Sequence, residues 1–268
     1  MKRHSMNMID SYEITSVKEY IDYVEGLPSE FSLARGQFRD YPLYPGIYRK
    51  DSQNMALYSE ADKIRFIESF KIYAAQYLHD ININNENELL VCAQHFGVNT
   101  CLLDFTYSPL LALLFATENA FEEETDNDEA DEDAIGSCSV VWFLNPSELN
   151  HKTLGDSQVI NLSSFKSVEE IRAGMPFVCT ANRNNKRIAA QNGLFVCFKN
   201  GEYSLENISI AADILRKVVI HRKYLKGILA SLYRLGLRFN KVYPELTSIS
   251  KDIKLEYDVK QYIQNNEE

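Results

Sequence analysis

The sequence predicts an α+β fold: a single compact domain with a helical N-terminal half packed on a mixed, mostly antiparallel sheet. Apolar residues recur at helical spacing in the first half, and short β-rich runs dominate the second half. Neither repeats nor a clear linker divide the 268 residues. Hydrophobic residues make up 45% and charged residues 25%, close to the globular average, which excludes disordered and fibrous classes.

The first half of the chain carries clear helix-start signals. Ser16 and Glu19 form a capping-box pattern that opens a helix ending before Pro28. Ser108 at the N-cap and Pro109 at the first helical position predict the start of a buried helix, apolar on all sides. The other predicted elements are a strand at 31–35, helices at 60–79 and 88–96, a strand at 100–105 and the apolar helix itself at 110–120.

The second half is predicted to be rich in strands. Its elements are strands at 137–144, 194–198 and 217–221 and a helix at 223–235 that Gly236 ends. These runs complete the sheet on which the helices of the first half pack.

The net charge of −10 is unevenly distributed. Residues 118–133 carry ten acids and no Lys or Arg, which predicts a solvated loop. The run does not fit a calcium loop, because Asp131 stands where an EF-hand needs glycine. Residues 216–241 carry eight basic residues and no acid, and two interpretations stay open: a solvated helix face or a nucleic-acid surface.

The cellular compartment and the expectation about metal binding are both inferred from sequence features that the chain lacks. No apolar stretch approaches a membrane span, the start has no apolar signal region, and the five cysteines never form C-x-x-C. We therefore expect a cytoplasmic protein without membrane contact. No histidine or cysteine pair has metal-ligand spacing, and the common nucleotide-loop and hydrolase signatures are absent, so no metal site is expected.

Several polar residues stand inside apolar sequence at predicted element boundaries, which is typical of side chains that surround a ligand. They are Arg35, Gln94, His95, Asp104, Thr106, Ser108 and Gln191. Structural roles remain open for some of them: Arg35 in an ion pair, Thr106 and Ser108 as caps, and His95 as a hydrogen-bonded core histidine.

Three stretches resemble the FRG domain family. Ala34-Arg35-Gly36-Gln37 resembles the F/Y-R-G motif, and residues 94–116 (QHFGVNTCLLDFTYSPLLALLFA) resemble the long central motif Q-H-x-G-x-P-T-R-L-L-D-W-T-x-x-P-L-x-A-L-x-F-A. Arg187 with residues 191–195 is similar to the R-x-x-x-Q-x-G-x-F element, and residues 235–246 resemble the closing pattern. Cys101 departs from the pattern, because the family offers a basic side chain there.

The resemblance implies a domain organisation. Residues 1–28 form an N-terminal helical extension, residues 29–250 the FRG domain with its acidic loop at 118–135, and residues 251–268 a C-terminal tail.

The order of motifs is also similar to that of ADP-ribosyltransferases of the arginine–serine–glutamate type. Those enzymes place Arg-Gly at the end of an early strand, then an S-T-S strand feeding a helix, and a catalytic glutamate on a late strand. Arg35-Gly36, then Thr106-Tyr107-Ser108, then Gln191 occur in the same order. The resemblance implies an ADP-ribosyltransferase-like fold and a protein that transfers ADP-ribose from NAD or cleaves NAD, as a toxin or phage-defence effector.

Site roles follow from this resemblance. The implied catalytic residues are Arg35, Thr106, Ser108 and Gln191, and the implied NAD-binding residues are Arg35, Gly36, Gln94, His95, Asp104 and Arg187. An amide such as that of Gln191 cannot act as a general base. Three options therefore stay open: Gln191 suffices, Asp104 or another acid does the work, or the fold is a binding module.

The partners are accordingly expected to be NAD together with a protein or nucleic-acid acceptor. The alternative function is a non-catalytic module that binds a ligand or nucleic acid through residues 216–241.

Overall fold

A mixed sheet of eight strands runs through the computed structural model, which describes residues 8–78, 82–122, 138–181, 193–243 and 245–267. The strands are β1 (Ser11–Ile14), β2 (Leu33–Gln37), β3 (Leu102–Thr106), β4 (Ser139–Leu144), β5 (Ile160–Asn161), β6 (Phe177–Thr180), β7 (Gly193–Cys197) and β8 (Leu215–Ile220). The helices are α1 (Val17–Gly26), α2 (Glu60–Tyr73), α3 (Glu86–His95), α4 (Pro109–Thr117), α5 (Pro146–Leu154), α6 (Ala211–Ile214), α7 (Arg222–Arg234), α8 (Phe239–Val242) and α9 (Leu246–Glu267).

The spatial order of the strands is β1-β8-β4-β2-β3-β7-β6-β5. The β1–β8 and β5–β6 pairs are parallel, and the other five pairs are antiparallel. The predicted α+β class and the mixed, mostly antiparallel sheet are confirmed.

The central strand β4 is buried along its whole length. Because side chains alternate across a strand, Val141 and Phe143 face one layer and Val140 and Trp142 face the other. This is why a continuous apolar run, rather than an alternating one, forms a strand here.

Two layers cover the sheet. On one face α1, α4, α7 and α9 pack over the strands, and the Tyr20 hydroxyl of α1 donates to the Pro109 carbonyl at the start of α4 (2.8 Å). On the other face Leu43, Leu149 of α5 and Leu205 pack against β4 and its neighbours. Strand β2 is thus fixed between the two layers.

The helix starts predicted from the capping residues Ser16 and Ser108 are confirmed. The Ser16 hydroxyl accepts from the Glu19 backbone N–H (3.3 Å), and the Ser108 hydroxyl accepts from the Leu111 N–H (3.3 Å) with Pro109 as the first helical residue. These caps satisfy backbone donors that the helix itself leaves unpaired.

The amphipathic helix expected to reach residue 79 is shorter, and its packing differs from the expectation. Helix α2 ends at Tyr73, a 3-10 turn follows, and residues 79–81 lie outside the described residues. No residue of α2 is fully buried: Ile64 and Ile72 are exposed, and Ile67 only flanks a small cluster. The spacing of apolar residues in the sequence predicted the helix, but it did not show how much of the helix other elements of the protein would bury.

The two ends of the chain take part in the fold. Strand β1, within residues 1–28, extends the sheet by pairing with β8. Helix α9 spans the predicted boundary at residue 250 and places Leu255 and Val259 in the core. Among the helices that the structure describes, none is long and apolar enough to cross a membrane.

Helix α4 crosses β2 at Gly36. A Cβ at Gly36 would overlap the Ala112 carbonyl oxygen and lie 2.7 Å from the Ala116 nitrogen. Both neighbours are backbone atoms that cannot rotate away, so only glycine permits this approach.

We expect Gly36→Ala to lower the free energy of unfolding by roughly 1–3 kcal/mol or more, because the added methyl forces α4 off the sheet. Gly174→Ala is the matched control, since nothing lies within 4 Å of a Cβ there, and it should change stability by no more than about 0.5 kcal/mol. Denaturant unfolding measures both. Equal stability of the two variants would contradict the assigned role of Gly36.

Candidate functional site

Strands β2 and β3 separate beside Arg35. They share one register position, Ala34 opposite Thr106. On its other edge β2 pairs with β4 along its whole length, from Leu33 to Gln37, and β3 pairs with β7 from Leu102 to Thr106. Because Ala34 and Thr106 are the one pair that joins β2 to β3, the sheet opens between these strands beside Arg35 and Gly36.

A cavity of about 370 Å³ lies at this opening, within the size range of small-molecule sites. Its polar lining residues are Arg35, Gln37, Arg49, Gln94, His95, Asp104, Thr106 and Glu118. Its aromatic lining residues are Phe38, Tyr41, Phe105, Phe115, Phe195 and Tyr243. Charged and aromatic side chains therefore line the same cavity.

Arg35 bridges the gap between the two strands. Its Nη1 donates to the backbone oxygen of Asp104 (2.9 Å), in place of the strand-to-strand hydrogen bonds that are missing there. Burial lowers the pKa of Arg35, and the nearby Asp104 carboxylate counteracts part of this effect. An arginine remains protonated in a protein, so the cavity holds a fixed positive charge.

Four buried side-chain atoms lack a hydrogen-bond partner within the described ranges, and two of them belong to this cavity. They are Nε of Arg35, which is a donor, and Oε1 of Gln37, which is an acceptor. Arg35 and Gln37 stand two residues apart on β2, so their side chains leave the same face of the strand. Buried polar atoms of this kind are rare, and a ligand is one way in which they are satisfied.

A hydrogen-bonded chain holds the Asp104 carboxylate. The buried Thr100 hydroxyl donates to Oε1 of Gln94 (2.5 Å), and Nε2 of Gln94 donates to Oδ2 of Asp104 (2.7 Å). The Thr100 oxygen in turn accepts from the Leu102 N–H (3.1 Å). Because Oε1 of Gln94 is occupied by a donor, its NH₂ group is the one that faces the carboxylate.

Arg49 brings a second positive charge to the cavity. Its charge acts to lower the pKa of Arg35, as a like charge nearby does. Two guanidinium groups that line one cavity are suited to an anion with several oxygen atoms, such as a phosphate.

The other predicted site residues divide into two groups. Gly36, His95 and Thr106 line the cavity, and the buried Thr106 oxygen also accepts from the Ser108 N–H (3.1 Å). The Ser108 hydroxyl instead caps α4 and is not part of the lining. Of the two roles considered for Ser108, a helix cap and a site residue, its geometry supports the helix cap.

Arg187, Gln191 and most of the acidic run lie outside the described residues. Residues 118–122 of that run are described, with Glu118 and Glu122 as their acids, and Glu118 at the end of α4 lines the cavity.

Sequence reasoning missed Gln37, Arg49, Glu118 and Tyr243. Gln37 had a usable signal, because its position two residues after Arg35 places it on the same face of β2. Arg49, Glu118 and Tyr243 belong to separate segments, and no local pattern connects them to Arg35.

Several cations of the basic segment 216–241 make contacts within the protein. Arg216 donates to the Ala212 (2.8 Å) and Leu215 (2.7 Å) carbonyls, and Lys217 pairs with Asp40. The Arg238 guanidinium lies 3.6 Å from the ring centre of Tyr233. These three side chains contribute to packing as well as to surface charge.

Cys101 lies away from the cavity, where a hydrogen bond with the Cys197 thiol and burial raise the pKa of its thiol well above the ordinary value. Within the described ranges, no group of three or more His, Cys, Asp or Glu side chains is arranged to hold a metal ion.

The elements that form most of the cavity, β2, α3, β3 and α4, lie in one continuous stretch of chain. No curated protein and no solved structure matches the chain. A family model, described as the FRG domain, matches residues 32–125. The stretch of this protein that contains Arg35, Gln94, Asp104 and Thr106 is therefore the part that matches the FRG domain model.

Proposed function

We propose that the protein binds NAD in the cavity between β2 and β3 and breaks the bond between nicotinamide and ribose, in the manner of an ADP-ribosyltransferase. The resemblance in motif order motivates the choice of NAD. The geometry of Arg35 and Gln37 supports it.

The pair of unpartnered atoms on β2 is the observation that carries the proposal. Nε of Arg35 needs an acceptor and Oε1 of Gln37 needs a donor. A simple anion such as sulfate satisfies only the first. A nucleotide satisfies both, because its phosphates accept and its ribose hydroxyls or amide N–H groups donate.

Charge and shape favour the same class of ligand. The Arg35 and Arg49 guanidinium groups match a diphosphate, which carries two negative charges and many acceptor oxygens. Aromatic side chains such as Tyr41 and Phe115 offer faces against which a flat ring packs.

In the proposed reaction, the electron pair of the nicotinamide–ribose bond leaves with nicotinamide, and the ribose carbon becomes electron-deficient. Arg35 holds the diphosphate, and Thr106 and His95 position the ribose. Water, or the nucleophile of an acceptor molecule, then bonds to the ribose carbon and loses a proton.

The alternative function, nucleic-acid binding through residues 216–241, has less support from the geometry. Arg216, Lys217 and Arg238 make contacts within the protein, as described above. Binding of DNA or RNA that weakens steeply with salt, in the absence of NAD binding, would favour this alternative.

We expect Arg35→Lys to weaken NAD binding about 10- to 100-fold while the fold is retained. Lysine keeps the charge but loses the planar set of donors that includes Nε. Calorimetric titration with NAD measures the affinity, and circular dichroism measures the fold.

Arg65→Lys is the control for this experiment, because Arg65 is an exposed arginine of α2 that does not line the cavity. The affinity of the Arg65→Lys variant for NAD should equal that of the wild type. Failure of the wild-type protein to bind NAD would reject the proposal. Equal affinity of Arg35→Lys and wild type would reject the role of Arg35.

Replacement of Gln37 by leucine should affect NAD affinity without lowering the stability of the fold. Gln37→Leu removes a buried acceptor that has no partner, so the free energy of unfolding should stay unchanged or rise. NAD affinity should fall about fivefold, because the ligand loses a hydrogen bond. A loss of stability with unchanged NAD affinity would mean that Gln37 is structural.

A further inference from the structure

We propose that Asp104 is the catalytic carboxylate of this site and that Gln94 is the residue that positions it. This inference rests on the proposed cleavage of NAD. It assigns the acid–base role that the amide of Gln191 cannot fill.

The cavity offers two carboxylates among the residues that the structure describes, Asp104 and Glu118. Glu118 is the C-cap of α4, where the negative end of the helix dipole disfavours a further negative charge. Asp104 lies on a strand, beside the arginine proposed to hold the substrate: its backbone oxygen is 2.9 Å from Nη1 of Arg35. The Asp104 carboxylate also acts to raise the pKa of Arg35, as an opposite charge nearby does, and both residues line the cavity. A diphosphate held by Arg35 would place its ribose within the same cavity as this carboxylate.

The orientation of Asp104 is fixed by a chain of hydrogen bonds. Thr100 is buried with an exposed fraction of 2%, and its hydroxyl sets the direction of the Gln94 amide. Gln94 then donates to Oδ2 of Asp104 at 2.7 Å. A reacting carboxylate gains most when its geometry is set before the substrate arrives, and this chain supplies that geometry.

The placement on the strand adds a second argument. Asp104 and Thr106 are two residues apart on β3, so they share one face of that strand, and both line the cavity. A hydroxyl that positions a ribose and a carboxylate that acts on it are needed side by side, and β3 provides both.

The carboxylate acts in two ways in the reaction. Its negative charge stabilises the positive charge that develops at the ribose carbon as the bond to nicotinamide breaks. It then accepts a proton from the attacking water while the water oxygen bonds to the ribose carbon. Release of that proton to solvent restores the carboxylate, and the products are ADP-ribose and nicotinamide.

The test uses the full chain with NAD and two separate measurements. Calorimetric titration gives the affinity for NAD, and release of nicotinamide gives kcat. Asp104→Asn should lower kcat by about 100-fold or more, while NAD affinity stays within about threefold of wild type or improves, because a negative charge near the diphosphate is removed. Asp213→Asn, at an exposed position on α6, should leave both quantities unchanged.

Two further variants separate catalysis from structure. Asp104→Gly with added formate should regain part of the lost rate, because formate supplies a carboxylate in the space left by the side chain. Gln94→Leu should lower kcat about tenfold with little effect on affinity, because it removes only the hydrogen bond that orients the carboxylate.

Each result has a distinct meaning. If the wild type releases nicotinamide and Asp104→Asn does so at a similar rate, the role of Asp104 is overturned and the proposed function stands. Loss of turnover in Glu118→Gln but not in Asp104→Asn would transfer the role to Glu118. A wild type that binds NAD without cleaving it overturns both the role of Asp104 and the cleavage step of the proposed function, and leaves only NAD binding. A wild type that does not bind NAD overturns both proposals entirely.

Discussion

The candidate site depends on the contact between the backbones of α4 and β2 at Gly36. The helix lies so close that a single methyl group would overlap the Ala112 carbonyl. The same helix is tied at its start to α1 through Tyr20 and capped by Ser108. Because α4 follows β3 directly, this contact fixes where β3 ends relative to β2, and with it the width of the opening between the two strands.

That opening explains why Arg35 carries a donor, Nε, that has no partner within the described ranges. A regular sheet would pair the backbones of β2 and β3 along their lengths, whereas here one register position joins them. The guanidinium of Arg35 crosses the gap to the Asp104 backbone, which uses Nη1 and leaves Nε without a protein partner within the described ranges. A group in this state raises the energy of the empty site and makes acceptor binding more favourable.

Local chemistry accounts for most elements that were predicted from the sequence. Capping side chains at Ser16 and Ser108 and the apolar run of β4 placed elements within a few residues of their observed bounds, because caps and periodicity involve neighbours in sequence. Elements without such signals escaped prediction, among them β1 and α9, whose positions depend on distant partners in the sheet and the core. Helix α2 was predicted from its apolar periodicity, but none of its residues is fully buried in the structure.

By itself the sequence determined the fold class, the identity of the polar residues at element boundaries and the Arg35-to-Thr106 order of the motifs. Gly36, Gln94, His95, Asp104 and Thr106 were all candidates on sequence grounds, and the structure brings them to one cavity with Arg35. Only the tertiary structure decided that Ser108 lies outside the cavity, that Gln37, Arg49 and Glu118 line it, and that Gln94 donates a hydrogen bond to Asp104. The physical reason is separation along the chain: a cap or a helix face forms between close neighbours, whereas the contact between Arg35 and Asp104 joins residues 69 positions apart and exists only once the sheet has assembled.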